Sequence, residues 1–368
     1  MDRFALWNCD SIFILFLSYF ESRGTSYIMP KSQDFKKPLY GGVDVGGTNI
    51  KLGLIDDLGQ IVAKAKFPTQ PAKSPEIAIE QAKIRLQQLI EPTEFDWSDV
   101  AAVGLGTPGP MDISRGVILT PTNLPGWHNF PIRDQLSESL GKPVTFANDA
   151  NAAGFGEYWV GGGQDYESMV LLTLGTGVGG GIIINDLSID GANSHGGEVG
   201  HLVIDTGPEA RQCGCGQRGH LEAYSSATAL VERTIEAMGD PDTGKQTLLR
   251  KRIGEASPLS ALMVSEAATE GDEFAISMVR ETARYLGRGI ALLAHIIDPA
   301  AFILGGAMNF GGSSTVLGKQ FLSDVMNETR EMVFPVLGEK LVVDFAQLGS
   351  EAGLVGAAGL ARANYIRQ

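Results

Sequence analysis

Two of the chain's three cysteines and two of its five histidines fall close together, as His201-x11-Cys213-x-Cys215-x4-His220. Thiolate and imidazole are the usual ligands of zinc, which takes four of them in a tetrahedron when its role is structural. Gly214, Gly216 and Gly219 supply the tight backbone that lets closely spaced ligands converge. Four protein ligands would leave no open position for a catalytic water, so such a metal organises a site and does no chemistry itself. A glycine turn that merely carries thiols is the other reading of the same residues. Two cysteines in a C-x-C are sterically awkward as a mutual disulfide, which argues for a reducing compartment.

A second chemical candidate is Asn148-Asp149, which follows the apolar run PVTFA. Ligands in α/β sheets sit at strand ends of this kind, and a carboxylate there can take a proton from an attacking hydroxyl. Aspartate at that point also suits a helix N-cap, and the local residues leave both roles open.

Three glycine turns complete the set: Gly46 to Thr48, Gly175 to Gly181 and Gly305 to Gly312, with Asp44 two residues before the first. Glycine after a strand lets backbone N–H groups approach phosphate oxygens. The dinucleotide pattern GxGxxG does not fit, because Gly175-Thr176-Gly177 runs on into a strand rather than a helix. No Gly-Lys-Ser/Thr occurs anywhere, so a Walker A loop is excluded.

These residues need elements to hold them. YGGVDVGGTNIKLGLID reads as strand, glycine turn and strand, and MVLLTLGTGVGGGIIIN repeats that reading at an offset of 129 residues. Two related α/β halves are the economical interpretation. SPEIAIEQAKIRLQQLIE predicts a helix with Ser74 as N-cap and Pro75 at its first position. PIRDQLSESLG predicts a short helix closed by Gly141, and EFAISMVRETARYLGRGIALLAHIIDP a long one stopped at Asp298-Pro299. Strands alternating with helices call for a parallel or mixed sheet covered by helices.

Composition sets outer bounds. The 368 residues are long enough for two domains, and 43% apolar with 20% charged residues is the balance of a soluble globular protein. A net charge of −14 without a Lys/Arg cluster disfavours nucleic-acid binding. The apolar stretch Ser11 to Phe20 is too short to span a bilayer and lacks the flanks of a signal peptide. Residues 1–38 are therefore expected to be an extension, with 1–28 either disordered or preceding a true start at Met29; a weak membrane anchor is the minority reading, and no membrane partner is expected.

Taken together, DVGGT, LGTGVGGG and LGGA resemble the phosphate-1, phosphate-2 and adenosine motifs of the actin/hexokinase/Hsp70 ATPase superfamily. The resemblance implies two ribonuclease-H-like domains with the active site in the cleft between them. The expected limits are 39–148 for a small domain, completed by a C-terminal helix 352–366, and 149–351 for a large domain with the zinc loop. EVGH followed by CGCGxxGHxE resembles the ROK family of sugar kinases and regulators, with His220 standing where the family has a third cysteine. A Cys2His2 set remains good zinc chemistry.

From the family, His201, Cys213, Cys215 and His220 are implied as structural zinc ligands, and NDxNAAxxGE implies Asp149 as the catalytic base. Gly109, Asn123, Asn148, Glu198, His201 and Glu222 would line the sugar pocket. Asp44 would orient Mg²⁺ and Gly46, Gly47 and Thr48 would hold the β/γ-phosphates. Gly175, Thr176 and Gly177 complete the phosphate cradle, with Gly305 and Gly306 beside the adenosine. The implied activity is ATP-dependent phosphorylation of a hexose 6-hydroxyl. TNLPGW and FGEYWVGGG look most like the glucokinase branch, while N-acetylmannosamine kinase and fructokinase share the same pocket residues. A sugar-responsive regulator would need a basic helix-turn-helix that the first forty residues do not spell. Relatives are commonly dimers or tetramers, so a cytoplasmic homo-oligomer is expected by resemblance.

Overall fold

The computed structural model describes residues 26–28, 34–69, 74–121, 123–240, 247–253 and 258–368. The apolar stretch at 11–20 and the candidate start at Met29 lie outside them. The chain divides into two compact units. One holds the residues up to Gly156 together with Glu351–Gln368, and the other is Glu157–Ser350. The division falls inside a continuous helix, Asp149–Val160, and not at its start as the sequence pattern suggested.

In the first unit the strands are β1 (Ser26–Ile28), β2 (Leu39–Val45), β3 (Asn49–Ile55), β4 (Ile61–Pro68), β5 (Val100–Thr107), β6 (Met111–Asp112), β7 (Val117–Ile118) and β8 (Val144–Asn148). Six of them form a sheet in the order β1-β4-β3-β2-β5-β8, while β6 and β7 form a small hairpin. Strand β1 falls within the expected N-terminal extension. It pairs antiparallel with β4, whose outer edge would otherwise present unpaired backbone groups.

The second unit carries β9 (Ser168–Leu174), β10 (Val178–Ile184), β11 (Leu187–Ser188), β12 (Ala301–Gly305) and β13 (Val342–Phe345), ordered β11-β10-β9-β12-β13. Adding 129 to the limits of β2 and β3 returns the limits of β9 and β10 residue for residue. The pairing repeats as well. β2 is antiparallel to β3 and parallel to β5, and β9 is antiparallel to β10 and parallel to β12. The halves are thus two copies of one α/β plan.

The central strands are near-continuous apolar runs, as expected where a sheet is covered on both faces. In β2 every residue is buried except half-buried Asp44. The C-terminal helix Ala352–Arg367, rich in alanine and glycine, lies directly on this sheet. A Cβ at Gly104 would stand 1.7 Å from the carbonyl oxygen of Ala357, so only glycine permits that approach. In the second unit the long helix Glu273–Ile297 buries Val279, Ala283, Leu286, Ile290 and Ala294, the three-to-four spacing of one helical face. It ends at Asp298 in the left-handed conformation (φ 50°), just before Pro299.

Candidate active site and metal centre

In each strand–glycine–strand unit the first glycine's N–H closes the turn, over three residues in the first unit and two in the second. Gly46 donates its N–H to the Asn49 carbonyl at 3.0 Å, and Gly175, its counterpart 129 residues on, donates to Gly177 at 3.0 Å. These two N–H groups therefore shape the turns and are not presented outward, which narrows the phosphate-holding set read from the sequence. Thr48 and Thr176 are the exposed residues of their turns. The first turn is tied down by Thr69, whose hydroxyl donates to the Gly46 carbonyl at 2.6 Å and whose N–H donates to Thr48 at 2.9 Å.

Asp44 faces Lys51 across the β2–β3 pair, with Lys51 Nζ 3.7 Å from Asp44 Oδ2. Burial raises the carboxyl above the usual carboxylate range. Lys51 opposes this shift and Glu351 adds to it. A Cβ at Gly353 would lie 2.9 Å from the Asp44 carboxyl, so the start of the C-terminal helix is shaped around this group. Its environment is one that a cation would relieve.

Asp149 is the first residue of its helix, at the end of β8. Capping falls mainly to the residue before it. Asn148 Oδ1 accepts from the N–H groups of Ala150 (2.8 Å) and Asn151 (3.4 Å), while Asp149 Oδ1 accepts from Ala150 at 2.9 Å. Asn148 thus has a structural part in starting the helix, and both residues are half-buried. Two further predicted residues lie close by. A Cβ on Gly109 would sit 3.7 Å from Asn148 Nδ2, and one on Gly47 would sit 3.3 Å from the side chain of exposed Asn123. The first unit therefore brings Gly47 to Asn123 and Gly109 to Asn148.

In the second unit, Gly306 has φ 89° and packs on the end of β9, where a Cβ would come within 2.2 Å of the Leu174 carbonyl. Met308 donates its N–H to that same carbonyl at 2.9 Å. Gly305–Gly306 is thereby held next to the Gly175 turn.

The four metal candidates converge. The ligand atoms of His201, Cys213, Cys215 and His220 all lie within 4.8 Å of one another. Backbone pairing does the work. Ile204 donates to Gly219 (2.8 Å) and Leu221 to Leu202 (2.8 Å), carrying His201 to His220, while Cys213 donates to Gln217 (2.7 Å) and closes the cysteine turn. His201 Nδ1 stands 3.2 Å from His220 Nδ1 and 3.9 Å from Cys213 Sγ, and Cys215 Sγ stands 3.2 Å from His220 Nδ1. With Zn–S near 2.3 Å and Zn–N near 2.0–2.1 Å, tetrahedral geometry separates such donors by about 3.3–3.8 Å. The donor set fits zinc.

Burial pushes the Cys213 thiol up to about 11, and burial, followed by neighbouring His201, holds His220 below its usual value. A bound cation supplies the charge that a thiolate needs there. Two carboxylates border the cluster. Glu198 Oε2 lies 4.0 Å from His201 Nε2, and Glu222 Oε1 lies 3.4 Å from Cys213 Sγ. The loop is fastened from outside by Tyr224, whose hydroxyl donates to Asp205 (2.7 Å) and accepts the Arg211 N–H (2.7 Å).

The ROK family profile matches residues 40–364, nearly all of the described chain. The chain belongs to the ROK family. It is 34% identical to a glucokinase of Halalkalibacterium halodurans, over 88% of this chain and 94% of that one. Among solved structures, it resembles a ROK hexokinase of Thermus thermophilus (33% identity, TM-score 0.74, 90% and 100% of the two chains). It also resembles a ROK glucokinase of Streptomyces griseus in complex with glucose and AMPPNP (37% identity, TM-score 0.67, 88% and 99%).

Two residues of this ROK chain were not singled out from sequence. Glu157 closes the NDxNAAxxGE stretch, is fully buried, and accepts N–H groups from Gly162 (2.8 Å), Gln347 (2.9 Å) and Leu348 (2.8 Å). Its carboxylate fastens the end of one helix to the segment following β13. Thr228 donates its hydroxyl to the carbonyl of Thr176 at 2.8 Å. Neither link carries a local pattern, because each joins residues far apart in the chain.

Proposed function

We propose that this chain uses ATP to phosphorylate the 6-hydroxyl of a hexose, with glucose the preferred acceptor. The observation that carries the reading is Asp149, a carboxylate at a strand end whose neighbour Asn148 takes most of the helix-capping role, in a chain 34% identical to glucokinases over most of its length. Asp149 accepts the hydroxyl proton as the sugar oxygen attacks the γ-phosphorus and the bond to the β–γ bridging oxygen breaks to release ADP, while Asn148, Gly109 and Asn123 orient the sugar. Glu198, His201 and Glu222 contribute further sugar contacts. Backbone N–H groups of Gly47, Thr48, Thr176 and Gly177 receive phosphate oxygens, and Gly305–Gly306 borders the adenosine.

Mg²⁺, when bound with ATP, neutralises developing phosphate charge, and Asp44 is the carboxylate that would hold it through water. Zinc on His201, Cys213, Cys215 and His220 stiffens the loop carrying Glu222 and takes no part in phosphoryl transfer. We assign the chain to a reducing, cytoplasmic setting as a homo-oligomer. Cys213 and Cys215, free among the described residues, support the setting; none of the described helices is long and apolar enough to cross a membrane.

The test is product formation from Mg-ATP with glucose, fructose, mannose and N-acetylmannosamine offered separately. Glucose 6-phosphate as the main product supports the reading. Turnover only on N-acetylmannosamine would move the substrate toward the N-acetylmannosamine kinase of Haemophilus influenzae, to which the chain is 29% identical. Turnover only on fructose would move it to fructokinase, and binding of sugar without turnover would make the chain a non-catalytic sugar-binding regulator.

A further inference from the structure

The segment that follows the last metal candidate reaches over to the glycine turn at Gly175–Val178 with three hydrogen bonds. Glu222 Oε2 accepts the Val178 N–H at 3.0 Å, Ala227 donates its N–H to the Gly175 carbonyl at 2.8 Å, and Thr228 Oγ1 donates to the Thr176 carbonyl at 2.8 Å. The fit is close. A Cβ on Gly177 would meet Glu222 Oε2 at 2.3 Å. The other oxygen of the same carboxylate, Oε1, lies 3.4 Å from Cys213 Sγ. One side chain therefore touches a metal ligand with one oxygen and the glycine turn with the other, only two residues after His220.

A turn built of glycines has many conformations to lose when it closes on a ligand, and every bond that fixes it beforehand lowers that cost. We propose that Glu222 and Thr228 are positioning residues for the nucleotide phosphates, so that the His/Cys cluster governs the affinity for ATP as well as the sugar pocket. This rests on the kinase reading above, and extends Glu222 from a sugar contact to a strut of the phosphate turn. Thr228 is the cleaner probe. It is exposed, lies outside the metal cluster, and bonds to the turn through its hydroxyl.

The experiment compares wild type, Thr228→Val and Thr228→Ser for Mg-ADP and glucose affinity by calorimetry, and for amide hydrogen exchange at residues 175–178. Wild type is also measured before and after chelation. Removing one hydrogen bond should weaken Mg-ADP binding about threefold to tenfold. Glucose affinity should stay unchanged, exchange at 175–178 should quicken, and Thr228→Ser should restore both values. Chelation should quicken exchange in the same residues. Unchanged Mg-ADP affinity and exchange in Thr228→Val would overturn the proposal, as would an equal loss for glucose and Mg-ADP. If wild type phosphorylates no sugar while exchange still responds to Thr228→Val and to chelation, the brace stands and the kinase reading falls.

Discussion

His201 and His220 face each other with their Nδ1 atoms 3.2 Å apart, although nineteen positions separate them in the chain. Two imidazoles turned together, with Cys213 and Cys215 beside them, are a candidate ligand set. Protein purified without chelator should carry about one zinc per chain. His220→Cys should retain the metal, because a thiolate replaces an imidazole in the same tetrahedron. His220→Ala should lose most of it and lower the melting temperature. Metal analysis beside a thermal melt checks both, and a zinc-free wild type of full stability would contradict the assignment.

Asn148 and Asp149 should separate stability from catalysis. Asn148→Ala removes the main cap of the helix and should cost about 1 kcal/mol of stability. Asp149→Asn should leave stability within about 0.5 kcal/mol, as expected where no main cap is lost. It should lower kcat by at least ~100-fold through loss of the proton acceptor. Denaturant unfolding and steady-state kinetics on the two variants make the comparison.

Asp44 gives a pH dependence with a definite sign. Its carboxyl is raised by burial in the folded chain, so the folded state holds that proton more tightly than the unfolded chain does. The stabilising contribution of the protonated form is complete below the unfolded value near 3.9 and is lost as pH rises through the raised folded value. At neutral pH the ionised group destabilises the ligand-free protein. Asp44→Asn should therefore melt above wild type at pH 7, with the gap narrowing toward pH 4, while turnover with Mg-ATP collapses. Melting curves across that range, without nucleotide, are the check.

Gly306 should not tolerate a side chain. With φ 89° and the Leu174 carbonyl 2.2 Å from the Cβ position, Gly306→Ala combines backbone strain with a clash against main chain. A loss of at least ~2 kcal/mol is expected, read from chemical unfolding.

Much of this architecture was legible in the residues. The offset of 129 between the two glycine-turn passages matched the limits of β2–β3 and β9–β10, because a strand–turn–strand unit is specified by local apolar runs and glycines. The helix Pro75–Ile90 begins at Ser74 and Pro75 as read, although the serine side chain makes no capping bond. Gly141 closes Ile132–Leu140 in the left-handed conformation. Links between distant segments were not legible. Nothing near Glu222 signals that it accepts the N–H of Val178, and nothing near Glu157 signals Gln347 and Leu348. The turn that hides the N–H of Gly46 is likewise set by a carbonyl three residues away, which glycine content alone does not predict.

The most direct test of the central claim is the rate of glucose 6-phosphate formation from Mg-ATP by zinc-loaded wild type and by Asp149→Asn, measured side by side. Turnover by wild type and a fall of at least ~100-fold in kcat for the variant, with glucose still bound, are the expected result. Equal rates in the two proteins, or no product from folded wild type, would contradict it.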